Sequence, residues 1–413
     1  MSDPSVTIRM YRVGLGDCHL LSFKTGNETR HILIDCGYFP GSGFAGLTTE
    51  QIVKDISAQT HHRLDAVVVT HEHQDHLQGF IDAQSIFRQM ELSELWLGWT
   101  EKPGQKIVAE KRSLAGLEAA AAGLAFAGDD EQRGIASAIE NMLGFSKGTD
   151  QAFETIKSWF PLTARKYWNP GDVFEPNWLP GVRIFVLGPP KDLNFLRKTT
   201  GKKNTEMYEL SAEQLGFAAA AMDEAEPDLL SPFDGKYARE SLSEALAASY
   251  NAEDQDWRRI DNDWLFSAAR LALQLDSYTN NTSLVLAFEL KESGRVLLFV
   301  GDAQIGSWLS WQSVEFEVAN KKITAGDLLA RTVYYKVGHH GSHNATLVEG
   351  GLLSMTNKKL HAAIPTNESW ASKSKHWEMP NARLWTELQK RCVNPILRPD
   401  VSKPNDLSVE ITL

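Results

Sequence analysis

The sequence predicts an α/β protein, because apolar runs of strand length alternate with helical patterns along most of its 413 residues. The largely apolar run Leu64–Val69 is typical of a strand that is buried on both faces of a sheet. Clusters of polar residues directly follow several of the predicted strands. We therefore expect helices layered on sheets, with polar side chains gathered at the strand ends.

The amino-terminal part is rich in β-forming residues that are separated by glycine-containing turns. The strands predicted here are Val6–Val13, Cys18–Phe23, His31–Asp35, Leu64–Val69 and Leu95–Trp99. Helices are predicted at Thr48–Ala58 and from Leu77 onward.

A second series of strands follows later in the chain. It comprises Val182–Leu187, Ser283–Leu290, Arg295–Val300, Thr332–Val337, His361–Ile364 and Leu407–Leu413, with helices at Ile305–Trp311 and Leu384–Arg391. Two helical stretches, at about 101–160 and 191–275, interrupt this alternation. Because the strands on either side continue the same pattern, we interpret both stretches as insertions into a single domain of residues 1–413.

The formal net charge of −11 argues against nonspecific binding to nucleic acid or anionic membrane over the whole surface. This net charge does not exclude a local basic groove or a metal site that binds phosphate. Three cysteines in a chain of this length fit a reducing compartment without a disulfide framework. No signal peptide is recognised, and no apolar run approaches the roughly 18–20 residues that span a bilayer. We expect a cytoplasmic protein without a membrane segment.

The most informative polar cluster follows the strand Leu64–Val69. It reads His71-Glu72-His73-Gln74-Asp75-His76. Three imidazoles and the carboxylate of Asp75, the ligand types that zinc and related ions prefer, fall within six residues. We interpret the cluster as a metal site, with His71 and His73 facing one ion and with Asp75 and His76 facing a neighbouring position. The alternative is a solvated polar loop that happens to be rich in histidine.

Two later strand ends supply further candidate ligands. Asp302 follows the strand Arg295–Val300, and its carboxylate could bridge two cations; the alternative is an N-cap for the next helix. His339 and His340 follow the strand Thr332–Val337. One of them is expected to bind metal and the other to contact substrate. The sequence does not decide which; our working assignment makes His339 the metal ligand and His340 the catalytic residue.

These motifs resemble the metallo-β-lactamase superfamily, which shares the HxHxDH sequence after a buried strand, a later Gly-Asp and a strand-end histidine. The segments Val13–Asp17, Ile34–Gly37, Asn280–Leu286, Gly301–Asp302 and Lys336–Ser342 resemble, more specifically, the hydrolase domain of bacterial competence DNA-uptake proteins of the ComEC type. The resemblance implies an αβ/βα four-layer sandwich with its site at the sheet edges. It also implies two divalent metal ions, with zinc favoured over manganese, in a stand-alone relative that lacks the channel-forming part.

The sequence departs from this resemblance at Asn281. Related lactone hydrolases carry a metal-binding histidine at the corresponding position, before the Ser-Leu pair that starts a hairpin. An amide binds zinc poorly compared with imidazole, so one metal site is expected to be weaker or more open. We therefore group Asn281 with Asp75 and His340 as catalytic residues and expect its amide to contact substrate. The alternative is that Asn281 caps the turn before Ser283.

Several residues carry weaker signals. Asp35 is expected to orient the histidine cluster and Asp17 to line the mouth of the site, and each could instead be a turn residue. Four side chains could bind a substrate anion, although each taken singly could be structural: Lys336, Ser342, Thr366 and Asn367. His376 could also reach the site.

Three functions compete. The resemblance favours a phosphodiesterase or nuclease, whose substrate would be a nucleic acid or a nucleotide. The same metal chemistry could instead hydrolyse a lactone, a thioester or another ester, because fold does not choose between them. The third candidate is a non-catalytic metal-binding module that binds a partner protein through the helical insertions.

Overall fold

The computed structural model describes residues 3–105, 149–198, 201, 207, 278–375 and 377–413. All of them belong to one compact unit of the chain. Among these residues, no helix is long and apolar enough to cross a membrane. Most of the two predicted insertions, at about 101–160 and 191–275, lies outside the described residues, so their assignment as insertions stays a prediction.

The described part is mixed α/β, as the sequence predicts. Its strands are β1 (Ser5–Tyr11), β2 (Cys18–Thr25), β3 (Glu28–Cys36), β4 (Arg63–Val68), β5 (Glu91–Gly98), β6 (Arg165–Trp168), β7 (Val173–Phe174), β8 (Val182–Gly188), β9 (Val285–Leu290), β10 (Arg295–Phe299), β11 (Glu315–Val318), β12 (Lys321–Thr324), β13 (Thr332–Lys336), β14 (His361–Ala363) and β15 (Ser408–Thr412). Its helices are α1 (Thr49–Gln59), α2 (Gln74–Asp82), α3 (Gln84–Phe87), α4 (Thr149–Ser158), α5 (Leu193–Leu196), α6 (Ile305–Trp311), α7 (Ala325–Ala330), α8 (Glu368–Lys375) and α9 (Ala382–Arg391).

The strands form two large sheets and a hairpin. The first sheet has the order β15-β1-β2-β3-β4-β5-β6, and the second has the order β14-β13-β10-β9-β8-β7. Strands β3 to β6 run parallel to one another, and so do β10, β13 and β14. The parallel strands of each sheet therefore end at a common edge, where their following loops meet.

One apolar core is shared by both sheets, and each sheet has a second core on its other face. Phe23 on β2 and Phe288 on β9 meet in the shared core, with ring centroids 6.0 Å apart. The other face of the first sheet packs against α1, α2 and α4, and the other face of the second sheet packs against α6, α7 and α9. Successive strand residues point to opposite faces, so Leu20 and Leu21 enter different cores.

The predicted elements agree closely with the structure in the parts that lead to the strand ends. The predicted helix Thr48–Ala58 forms as α1, with Thr48 as its N-cap in a reciprocal capping box with Gln51. Strands β6 and β7 and the hairpin of β11 and β12 are not among the predicted elements. In the hairpin, Phe316 packs against Phe185. Phe316 lies between two glutamates, but this alternating pattern is too short to be recognised as a strand in the sequence.

Candidate metal centre

Four parallel strand ends bring the predicted ligands together. Asp35 lies at the end of β3, and the residues 70–76 connect β4 to α2. Asp302 follows β10, and the turn His339–Gly341 follows β13. The chain segments approach closely here, since a Cβ atom on Gly37 would lie 2.3 Å from the backbone nitrogen of His76. Only glycine fits at that position.

Asp75, His76, Asp302 and His340 form a group, the four-residue cluster, whose candidate ligand atoms all lie within 4.8 Å of one another. From His76 Nε2, Oδ2 of Asp302 is 3.3 Å away and Oδ2 of Asp75 is 3.8 Å away. From His340 Nε2, the same two oxygens are 3.6 Å and 2.9 Å away. Ligand atoms at 2.0–2.1 Å from a tetrahedral zinc ion lie about 3.3 Å apart. The observed separations bracket that spacing.

The cluster also contains buried polar atoms that lack hydrogen bonds. His76 Nε2 and Asp302 Oδ2 are inaccessible to solvent, and neither has a well-aligned hydrogen-bond partner. Such atoms are rare in folded proteins because burying them costs free energy. A cation between them would satisfy both, and two imidazole nitrogens with two carboxylate oxygens suit zinc or manganese. The residues present therefore fit a divalent metal ion.

Asp35 determines how His76 faces the cluster. Its Oδ2 atom lies 2.7 Å from His76 Nδ1, so the ring presents Nε2 towards Asp302. Asp35 is itself fixed, because the backbone nitrogen and the hydroxyl of Thr70 both donate to its carboxylate, at 2.8 and 2.7 Å. A carboxylate behind a metal-binding imidazole fixes its tautomer and orientation.

The structure favours the reverse of the working assignment, because His340, and not His339, belongs to the four-residue cluster. His340 Nδ1 lies 2.6 Å from the carbonyl oxygen of Pro365, which can only accept, so Nδ1 carries the proton and Nε2 faces Asp75. His339 lies outside the four-residue cluster and hydrogen-bonds to Gln304 and Ser342 instead. Both residues have left-handed backbone conformations, with φ of 38° and 52°, and this turn decides which ring points inwards.

The protonation of the four-residue cluster follows from its charges. Burial opposes ionisation of Asp302 and Asp75, but His76 and His340 hold the pKa of Asp302 well below its usual value and that of Asp75 at about 2. Burial likewise opposes protonation of the two histidines, yet the carboxylates raise the pKa of both. His339 differs, because burial lowers its pKa to about 4. Without an ion, the cluster is a set of buried ion pairs.

His71 and His73 lie beside the four-residue cluster. Nε2 of His71 is 3.0 Å from Nδ1 of His73, and the rings of His71 and His76 are 4.2 Å apart. The hydroxyls of Thr70 and Ser283 lie 3.1 and 3.3 Å from Nδ1 of His71. Nδ1 of His71 therefore faces these hydroxyls, and Nε2 faces His73.

Asp17 belongs to a second group, with Asp35 and His76, that adjoins the four-residue cluster. Its carboxylate contacts the ammonium group of Lys336, whose side chain is only 2 % exposed. Lys336 also donates to the carbonyl oxygen of Gly301 at 2.7 Å and lies 3.2 Å from Oδ1 of Asp302. These contacts favour the structural alternative for Lys336, because its ammonium group is buried against carboxylates.

The expectation that the amide of Asn281 contacts substrate is also corrected. Its Nδ2 donates to the carbonyl oxygens of Leu196 and Lys198, at 3.2 and 3.1 Å. Its Oδ1 accepts from the backbone nitrogens of Gln304 and Ser307, at 3.2 and 3.1 Å. The fully buried amide has no remaining hydrogen-bonding capacity for a substrate. Asn281 instead ties α5 to the start of α6.

The other candidate substrate residues make contacts within the protein. Ser342 hydrogen-bonds to His339 and Asn344. Thr366 donates to the carbonyl oxygen of Met379, and Asn367 donates to that of Ser42. His376 lies outside the described residues.

The site also includes Thr70, Ser283 and Pro365, which were not predicted from the sequence. The hydroxyl of Ser283 lies 3.3 Å from His71 Nδ1 and accepts from the backbone nitrogen of Asp302 at 3.0 Å. Thr70 had a signal, since it is the polar residue between a buried strand and the histidine cluster. The carbonyl group of Pro365 could not be recognised, because every residue has a backbone acceptor and the sequence does not single one out.

No protein-family model matches the chain, and no curated protein matches it. Its function is therefore inferred from the side chains of the candidate metal centre.

Proposed function

We propose that this protein is a metal-dependent hydrolase, a phosphodiesterase or nuclease of the metallo-β-lactamase superfamily. One observation carries the proposal: the four-residue cluster collects two imidazoles and two carboxylates with ligand atoms within 4.8 Å of one another, and His76 Nε2 and Asp302 Oδ2 are buried without a well-aligned hydrogen bond. A solvated polar loop, the alternative for the histidine cluster, does not explain buried unsatisfied atoms.

The arrangement of the sheets supports the same superfamily. Both sheets contribute to a shared core, and each packs helices on its other face. We infer that the helices and sheets form the αβ/βα four-layer sandwich that the motifs imply, with the site at the shared edge of its parallel strands.

The four-residue cluster would hold one divalent ion, and the imidazoles of His71 and His73 would be ligands of a second. Zinc suits this mixture of nitrogen and oxygen ligands, and manganese is the next candidate. Bound there, the metal supplies Lewis acidity and neutralises the charge that develops during hydrolysis of a phosphodiester.

Asp75 is the member of the cluster that reaches the surface. It lies in the first turn of α2, and its side chain is 13 % exposed, compared with 2 % or less for the other three. Its Oδ2 atom accepts from His340 Nε2 at 2.9 Å. Asp75 would therefore bind the ion and accept a hydrogen bond from the attacking water at the opening of the site.

His339 is the candidate donor to the substrate. Gln304 Nε2 and Ser342 Oγ lie 3.0 and 2.9 Å from His339 Nδ1, so this ring nitrogen bonds within the protein. Nε2 is then the nitrogen that would meet a substrate, and it donates when it carries the proton of the neutral ring. Because burial lowers its pKa to about 4, the ring stays neutral near pH 7. A half-buried neutral imidazole can donate this proton to a phosphate oxygen.

The test is a substrate screen with the purified full-length protein, supplemented with Zn²⁺ or Mn²⁺. The substrates are single- and double-stranded DNA, RNA, cyclic dinucleotides and bis-p-nitrophenyl phosphate, with a lactone and a thioester as carbonyl substrates. We expect metal-dependent hydrolysis of at least one phosphodiester, abolished by a chelator. Hydrolysis of carbonyl substrates alone would contradict the phosphodiesterase assignment and favour the ester hydrolase. No hydrolysis by a metal-loaded protein would contradict both.

A further inference from the structure

Lys336 is a buried cation with a complete set of acceptors. Its ammonium nitrogen contacts three oxygens: Oδ2 of Asp17, the carbonyl oxygen of Gly301 and Oδ1 of Asp302. An ammonium group has three donors, so all of them are used within the protein. Lys336 is the last residue of β13, next to the turn that carries His340. Its charge is therefore fixed at the edge of the four-residue cluster.

The two oxygens of Asp302 have different surroundings. Oδ1 lies 3.2 Å from Lys336 Nζ and accepts from the backbone nitrogen of His339 at 3.1 Å. Oδ2 faces Nε2 of His76 and Nε2 of His340, at 3.3 and 3.6 Å, without a hydrogen bond. One oxygen is thus taken by a protein cation, and the other is left for a metal cation.

Asp17 affects how strongly the ammonium group of Lys336 interacts with Asp302. It is fully buried, and its carboxylate contacts the ammonium group of Lys336, which also lies 3.2 Å from Oδ1 of Asp302. Two carboxylates that share one ammonium each receive part of its charge. If Asp17 were neutral, the ammonium group would compete more strongly with a metal ion for Asp302.

We propose that Lys336 is a fixed cation of the metal centre, which shares Asp302 with a divalent ion and is held by Asp17. This inference rests on the metal centre of the proposed function, but not on its reaction. Lys336 balances the buried carboxylate charge when no ion is bound, and its repulsion lowers the affinity for the ion. It is a positioning residue, because it acts on the ion through Asp302.

The test is a cycle of full-length variants: Lys336→Met, Asp17→Asn and the double variant. Zinc affinity is measured by competition with a chromophoric chelator, and the stability of the metal-free protein by thermal denaturation. Both single variants should be less stable, because each leaves a buried charge uncompensated. Their zinc affinities should move in opposite directions, about tenfold tighter for Lys336→Met and about tenfold weaker for Asp17→Asn. The double variant, with both charges removed, should bind zinc within about threefold of the wild type.

A purely structural Lys336 would lower stability without opposite changes in affinity, and that result overturns the inference. If Lys336→Met does not fold, unchanged zinc affinity in Asp17→Asn is sufficient to overturn it. Hydrolysis is measured separately: a protein that shows the expected affinities but cleaves nothing contradicts the proposed function alone. A wild-type protein that binds no zinc contradicts both.

Discussion

Nδ1 of His76 lies 2.7 Å from Oδ2 of Asp35, and this contact turns the opposite ring nitrogen towards Asp302. Two hydrogen bonds from Thr70 hold the carboxylate in place. Asp35, at the end of β3, therefore orients His76 in the metal-free protein. The remaining ligands approach from the other sheet and from α2.

Replacing Asp35 should affect zinc binding more than folding. Asp35→Asn loses the carboxylate that orients His76, so we expect zinc affinity to fall by about 10–100-fold. Asp65→Asn is the matched control, because Asp65 is also a buried aspartate of the first sheet and accepts from the backbone nitrogen of His31 at 2.9 Å. The control should lose stability but keep the wild-type affinity. Equal zinc affinities for Asp35→Asn and the wild type, by chelator competition, would show that Asp35 does not act on the ion.

Asp75→Ala should abolish hydrolysis while the fold persists. Asp75 is a member of the four-residue cluster at a partly exposed helix start, so its loss should cost more rate than stability. The control is Asp82→Ala at the other end of α2, where the carboxylate contacts Tyr38 and Gln78. Rates on the active substrate and circular dichroism spectra test both variants. Near-wild-type turnover in Asp75→Ala would refute the assigned role.

Replacing His339 and replacing His340 should have different effects on zinc affinity. His340→Ala removes a member of the four-residue cluster, so we expect zinc affinity to fall by at least about tenfold. His339→Ala should retain zinc affinity within about threefold but hydrolyse substrate more slowly, because its ring lies outside the cluster. Zinc titrations and kinetics on the two variants decide the matter. The reverse pattern would restore the assignment made from the sequence.

Asn281 should behave as a structural residue. Asn281→Ala leaves the backbone groups of Leu196, Lys198, Gln304 and Ser307 without their side-chain partner, so we expect a loss of about 2–4 kcal/mol in the free energy of unfolding. Asn281→His should also destabilise the protein, because the imidazole cannot reproduce those bonds. Urea denaturation measures both. A histidine variant of normal stability with tighter zinc binding would show that this position faces the ion.

Zinc affinity should rise with pH. The pKa values of His76 and His340 are raised, so in the metal-free protein both rings stay protonated to a higher pH than an ordinary histidine. A metal ion must displace these protons in order to bind. Acidification therefore weakens binding, and we expect affinity to increase more than about tenfold between about pH 6 and pH 8. His339→Ala should keep this dependence, since the low pKa of His339 leaves that ring neutral throughout. Chelator competition at several pH values would contradict the account if affinity did not change.

The sequence predicted those parts of the site that are local. The apolar run Leu64–Val69 appears as β4, and the histidine cluster at its end lies where the strand pattern put it. Asp302 and the His339–His340 pair also stood out, because each follows an apolar strand directly. Ligands at strand ends can be predicted from the sequence, since the apolar strand before them is recognisable.

The sequence could not predict contacts that depend on tertiary packing. The choice between His339 and His340 depends on two left-handed backbone conformations in one turn. The role of Lys336 depends on Asp17, which comes from the other sheet and from a distant part of the chain. Asn281 looked like a replaced ligand, but its partners on α5 and α6 were not recognisable as its neighbours.

The most direct test of the metal centre is elemental analysis of the full-length protein after expression and purification with supplemented metal. Wild-type protein and a His76→Ala variant are compared, with the folding of each checked by circular dichroism. We expect the wild type to carry at least about one equivalent of zinc or manganese per chain, and His76→Ala to lose most of it. A folded wild-type protein with clearly less than about one equivalent, or a His76→Ala variant with unchanged metal content, would contradict the account.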